Sequence, residues 1–168
     1  MSKLAKDMVS AVSSSLVSTL GDKLRKGADG ETEVDTSGAV GNSQFIGVYF
    51  GAHWAPPCRK FTHSLKKNYE EANKDGGKKL EIVFCSQDGN LAAFKRNFSD
   101  MDWYAINFDD KSRIQSLQQT YGVMELPTLV IIDKDGQIVS QSGDTDLKGG
   151  TTKALEKWEG ELAKLAAQ

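Results

Sequence analysis

Two apolar, β-prone runs, Phe45-Ile46-Gly47-Val48-Tyr49-Phe50 and Leu80-Glu81-Ile82-Val83-Phe84-Cys85, flank a helical pattern and constrain this chain more than any other feature. Strands with few polar positions must be covered on both faces, as parallel strands joined by a helix are. In the intervening segment Cys58, Phe61, Leu65, Tyr69 and Ala72 recur at intervals of three and four. Pro56 opens that helix and Lys74-Asp75-Gly76-Gly77 ends it. The alternation continues: Gln87-Asp88-Gly89-Asn90 supplies a turn and N-cap for a helix carrying Leu91, Phe94 and Phe98. Trp103 to Phe108 reads as a short strand, and Asp109 or Asp110 caps a helix with Ile114, Leu117 and Tyr121, closed by Gly122. Thr128-Leu129-Val130-Ile131-Ile132, the turn Asp133-Lys134-Asp135-Gly136 and Gln137-Ile138-Val139-Ser140 form a hairpin, and a last helix carries Leu155, Trp158, Leu162 and Leu165. The expected fold class is α/β: a central mixed sheet flanked by helices, with its site where strands end and helices begin.

The region before Gln44 reads differently. Leu4, Met8, Val12, Leu16, Leu20 and Leu24 stand four apart, with Val9 and Val17 beside them, the spacing of an amphipathic helix. Residues 27–43 are rich in glycine, acids and hydroxyls and read as a linker. The expected organisation is therefore a helical extension over 1–26, an acidic Gly-rich linker over 27–43 and one domain over 44–168. The helix either packs on its own domain or docks on a partner.

Composition narrows the function classes. With 21 basic against 23 acidic residues, the chain lacks the concentrated positive charge of nucleic-acid binders. Its two cysteines, Cys58 and Cys85, are too few for a disulfide-stapled scaffold, and with two histidines they do not compose a zinc site. No metal and no cofactor is expected. No apolar run is long enough to span a membrane, and the N-terminal residues lack a secretory pattern, so an intracellular, cytoplasmic setting is expected.

The chemistry-bearing residues cluster after the first strand as Ala52-His53-Trp54-Ala55-Pro56-Pro57-Cys58-Arg59. Val48-Tyr49-Phe50 leads into them, Phe61-Thr62 follows, and Ser86, Asp88, Met101-Asp102-Trp103, Tyr121-Gly122-Val123 and Leu126-Pro127-Thr128-Leu129 succeed in order. From Phe45 to Gly143 this series resembles the tryparedoxin and nucleoredoxin branch of the thioredoxin superfamily, whose motif is W-C-P-P-C-R. The resemblance implies a thioredoxin-like fold and a cis-proline at Pro127 facing the motif. It also implies a shallow groove, lined by Trp54, Leu126 and Pro127, in which redox relatives dock polypeptide. Asp102 stands where the family has proline, and Ala55 stands where it has its first cysteine.

The second departure bears on chemistry. In such motifs the first cysteine, at a helix N-terminus, supplies the attacking thiolate and the second resolves the mixed disulfide. Ala55 can do neither. Cys58, the only thiol left in the motif, shares a stripe with Phe61 and Leu65, where burial disfavours its thiolate. Cys85, at the end of the neighbouring strand, is a second thiol that either pairs with Cys58 or fills an apolar slot. His53 has no nucleophile or carboxylate partner nearby in sequence and reads as a surface residue; His63 is assigned no role, and Trp103 reads as core.

Two functions compete. In the first, the chain has lost dithiol exchange and serves as a protein-binding or structural subunit of a larger assembly, holding a partner through the N-terminal helix, the motif groove or the C-terminal helix. In the second it is a protein-disulfide oxidoreductase, either carrying an alanine engineered in place of cysteine or using Cys58 as a monothiol. By analogy with the family, a ciliary axoneme or a mitochondrion stands as the alternative setting.

Overall fold

The structure, a computed structural model, describes residues 15–168. Residues 15–20 are helical (α1). There follow β1 (Lys23–Lys26), β2 (Thr32–Asp35), α2 (Thr36–Val40), β3 (Phe45–Gly51), α3 (Pro56–Ala72), β4 (Leu80–Ser86), α4 (Leu91–Phe98) and β5 (Tyr104–Ala105). The remainder is α5 (Lys111–Thr120), β6 (Thr128–Ile132), β7 (Ile138–Ser140), α6 (Gly143–Leu147) and α7 (Thr151–Ala166).

The seven strands form one mixed sheet in the order β2-β1-β5-β4-β3-β6-β7. β3 pairs in parallel with β4 and antiparallel with β6, so the two strands that lead toward the motif and Asp88 lie side by side. Every residue of β3 is buried. Alternate residues feed two cores: Tyr49, Ile82 and Phe84 face one with Leu65 of α3, Phe94 and Phe98 of α4, and Trp158 of α7. Val48, Phe50, Val83 and Cys85 face the other with Leu16 and Leu20 of α1 and with Ile114 and Leu117 of α5. This two-sided cover is what apolar parallel strands require.

The capping expectations hold at single atoms. Asn90 Oδ1 accepts from Ala93 N at 2.8 Å and Asp110 Oδ1 from Arg113 N at 3.3 Å, each satisfying a donor at the start of its helix. On α7, Trp158 is wholly buried, meets the Phe45 ring edge-on at 5.7 Å and donates through Nε1 to Asp146 Oδ2 at 2.9 Å. The strand expected over 103–108 is shorter, Tyr104–Ala105, because Asn107 Oδ1 accepts from Asp109 N and turns the chain out of the sheet. The sequence pattern does not predict α6, whose first residue, Gly143, sits against the β6 backbone so closely that a Cβ would lie 2.9 Å from Leu129 O.

Two expectations for the first forty residues are corrected. The helix does not extend to Leu24: Gly21, with φ of +98°, closes α1, and Leu24 is a buried residue of β1. Arg113 Nη1 donates to Ser18 O and Thr19 O at 2.9 and 3.1 Å, tying the end of α1 to α5. Residues 4–14 of the expected helix lie outside the described residues. Nor is 27–43 a linker. β1 and β2 form a hairpin with Leu24 opposite Val34 and Arg25 opposite Glu33, and Arg25 pairs onward with Ala105, joining the hairpin to the main sheet. The Lys23–Asp35 ion pair is exposed and the Arg25–Glu33 pair half-exposed, and such surface pairs contribute about 0–1 kcal/mol each, so burial of Leu24 and the inter-strand hydrogen bonds hold the hairpin. The glycines that suggest flexibility in the sequence are turn residues: Gly27 and Gly30 have φ of +89° and +68°.

Candidate functional site

The motif loop leaves β3 and is clamped by the segment that leaves β4. Gln87 N donates to Gly51 O at 2.9 Å, His53 N to Asp88 Oδ1 at 2.7 Å, and Trp54 Nε1 reaches Gln87 O at 3.4 Å. Asp88 is held in turn by the Ser86 hydroxyl, 2.6 Å from Oδ2. The sequence pattern assigns Asp88 only to a turn; in the fold it is the carboxylate that positions the motif. The signal for that role is the Ser86-x-Asp88 spacing at the end of a buried strand.

Ala55 occupies the N-cap of α3 with extended backbone (φ −96°, ψ 106°) and no side-chain cap. An alanine N-cap ordinarily costs about 0.5–2 kcal/mol through unsatisfied backbone donors. Here Pro56 and Pro57 have no N–H, and Cys58 N donates to Ala55 O at 3.0 Å, so little is left for a cap to satisfy. The helix start is therefore built without a polar side chain at position 55.

Cys58 is 1% exposed. Burial pushes its thiol above the ordinary value of 9.0, a hydrogen bond at the Ala52 backbone and another from Tyr49 offset part of this, and the Asp88 charge adds to the rise. The Tyr49 hydroxyl lies 3.1 Å from Cys58 O and 2.8 Å from Thr62 Oγ1, fixing the first turn of α3 on the sheet. Cys85 is fully buried, with its thiol pushed up to about 12 by burial alone. Both cysteines are free. They do not meet: Cys85 points into the α1/α5 core with Phe50 and Val83, whereas α3 packs on the opposite face with Tyr49 and Phe84. Alternation along β4 turns Cys85 to the face away from α3, where it fills an apolar slot.

The Leu126–Pro127 bond is cis. Pro57, Phe61, Leu126, Pro127 and Leu147 line a groove of about 450 Å³ between α3 and α6, with Lys60, Glu125, Asp144 and Lys148 among its charged residues. Trp54 is not among the groove's walls. It projects from the motif loop, 67% exposed, and Met124, 93% exposed, precedes the cis-proline loop. Pro57, Leu126 and Pro127 thus share a groove with Leu147 of α6, and Trp54, whose Nε1 reaches Gln87 O, lies outside it. His53 is half-buried and His63 is exposed. Trp103 is core, edge-on to Tyr69 at 5.6 Å. No described helix is long and apolar enough to cross a membrane.

Known proteins share this architecture. A family model described as thioredoxin-like matches residues 42–138. Nucleoredoxin of Danio rerio is 37% identical over 114 residues, covering 68% of this chain and 27% of the relative. Tryparedoxin of Trypanosoma brucei brucei is 38% identical over 114 residues, covering 67% of this chain and 76% of the relative. The chain thus spans about a quarter of the length of the nucleoredoxins it matches. Among solved structures, tryparedoxin II from C. fasciculata superposes with a TM-score of 0.74 at 26% identity, covering 83% of this chain and 90% of that one. A cysteine-to-alanine mutant of tryparedoxin I superposes with a TM-score of 0.72 at 32% identity, covering 82% and 93%.

Proposed function

This chain belongs to the thioredoxin-like family, and from that premise we propose that it is a tryparedoxin- or nucleoredoxin-type module that has lost dithiol–disulfide exchange and retains polypeptide binding. The observation that carries the reading is the pairing of Ala55 at the N-cap of α3 with a Cys58 buried to 1% exposure. One position lacks the attacking sulfur, and the other holds a sulfur whose thiolate is disfavoured and shielded. Exchange needs an attacking and a resolving thiol, and the second cysteine, Cys85, is fully buried in the core on the face away from α3.

Of three surfaces open to a partner, the groove beside Pro127 has the best support. Leu16 and Leu20 of α1 are spent in the chain's own core, and so are Leu155 and Trp158 of α7, with Leu162 and Leu165 packed against it. The groove keeps an apolar floor ringed by charges of both signs, the composition of a site for extended polypeptide. An intracellular setting accords with two buried free thiols.

The test uses the full chain. It should not accelerate dithiothreitol-driven insulin reduction, and it should bind a labelled, reduced and alkylated insulin B chain saturably. Ser64→Arg places a long side chain in the groove from an exposed position and should weaken that binding. Catalysed reduction that disappears in Cys58→Ser, or binding indifferent to Ser64→Arg, overturns the proposal.

A further inference from the structure

A second groove, of about 280 Å³, lies on the other flank of α3, away from Pro127 and the polypeptide site. Its walls are His53 from the motif loop, Arg59, Thr62, His63 and Lys66 from α3, and Asn97 and Asp100 at the end of α4. The chain has two histidines, and both are here. Arg59, His63 and Lys66 recur at four and three, one stripe of the helix.

The acids near this groove are mostly committed. Asp88, beneath the loop, accepts from His53 N and the Ser86 hydroxyl, with Asn97 Nδ2 3.5 Å from Oδ2. Asp102 lies 3.7 Å from Lys66 Nζ, a long pair that leaves ammonium hydrogens unused. Asp100 is the remaining carboxylate. Among the described residues, the Arg59 guanidinium and the two imidazoles make no hydrogen bond or ion pair, so the groove offers a planar fork and several further N–H donors from separate directions. A carboxylate presents two acceptor oxygens; a phosphate monoester presents three and a second negative charge, which suits donors arriving from the loop and along the helix.

We propose that the groove formed by His53, Arg59, His63 and Lys66 binds a dianionic phosphate group. The group is either free phosphate or the phosphorylated side chain of a partner polypeptide. Arg59 provides the bidentate contact and Lys66 the second charge, while His53 and His63 close the sides.

Because only two histidines exist, their imidazole Hε1 resonances report on this groove directly. The full chain is titrated with inorganic phosphate at one pH, with ionic strength held constant by chloride. Both resonances should move along saturable curves, and Arg59→Gln and Lys66→Ala should each weaken the apparent affinity about tenfold, the effect of one charge-assisted contact. Arg59 is exposed, so its variant tests the site without touching the core. A phosphoserine peptide that outcompetes its unphosphorylated twin identifies the partner-borne source; equal, weak binding of the two beside saturable inorganic phosphate identifies the free anion. Movements that chloride alone reproduces, or that survive both variants unchanged, overturn the proposal.

Discussion

Ala55→Cys is the perturbation that isolates the lost chemistry. At pH 7 a thiol above 9.0, as at Cys58, is less than about 1% thiolate. A cysteine at the N-cap of the 17-residue α3 would sit in the field of the helix N-terminus, where such thiols titrate near about 7, so about half would be ionised. Against an ordinary thiol at 9.0, which Cys58 exceeds, that is a gain in thiolate of at least ~50-fold, and the lower basicity of the new thiolate offsets only part of it, since nucleophilicity falls by about 0.4–0.5 log units per pKa unit. The larger gain must come from mechanism: the introduced thiol would be the attacking sulfur, and Cys58, one turn on, would release the product. Insulin reduction by the parent, Ala55→Cys and Ala55→Cys/Cys58→Ser separates the two contributions. Turnover is expected in the single variant and not in the parent, and stalled mixed disulfide in the double variant. A folded Ala55→Cys protein no better than its parent would refute the claim that one side chain separates this site from an active one.

Three further outcomes are expected. Leu24→Ala should destabilise the protein by about 2–5 kcal/mol in urea, since Leu24 is fully buried; a change within experimental error would mean the β1–β2 hairpin is not part of the cooperative fold. Asp146 illustrates competing effects: burial alone would raise its carboxyl, but hydrogen bonds from Lys157, Ser140 and Trp158 outweigh it and hold the carboxyl below its ordinary value of 3.8. Asp146→Asn should cost about 2 kcal/mol at neutral pH. Because the folded value is the lower one, this stabilisation is complete above the unfolded pKa and fades as pH falls through the folded one, so the two proteins' denaturation midpoints should converge in acid. Finally, neither native cysteine should react with a thiol reagent at pH 8 on the timescale of the unfolded chain, and Cys85, with a pKa of about 12, should be only about one part in ten thousand thiolate; fast reaction of either would contradict its burial.

Much of the fold was legible because the decisive patterns are local. β3, α3 and β4 follow from apolar runs and a three–four repeat within consecutive residues, and Asn90 and Asp110 cap within three residues of themselves. Ala55 and Cys58 could likewise be placed at a helix start from Pro56 and Pro57 alone. The hairpin at 23–35 was not legible. Its stability depends on Arg25 pairing with Ala105 and on Leu24 entering a core built by α1, α5 and β3, while its own composition of glycines and charges matches that of a tether.

The same division runs through the site. Sequence by itself determined which atoms are missing: position 55 has no sulfur, and no arrangement of the chain can supply one there. Tertiary structure decided what the remaining groups can do. The parity of β4 sent Cys85 to the face away from α3, burial disfavoured the Cys58 thiolate, and the groove that Pro57, Leu126 and Pro127 line formed without Trp54, whose Nε1 reaches Gln87 O. These outcomes depend on which face of a sheet a residue meets and on hydrogen bonds between segments distant in the chain, and residue order carries neither without the fold.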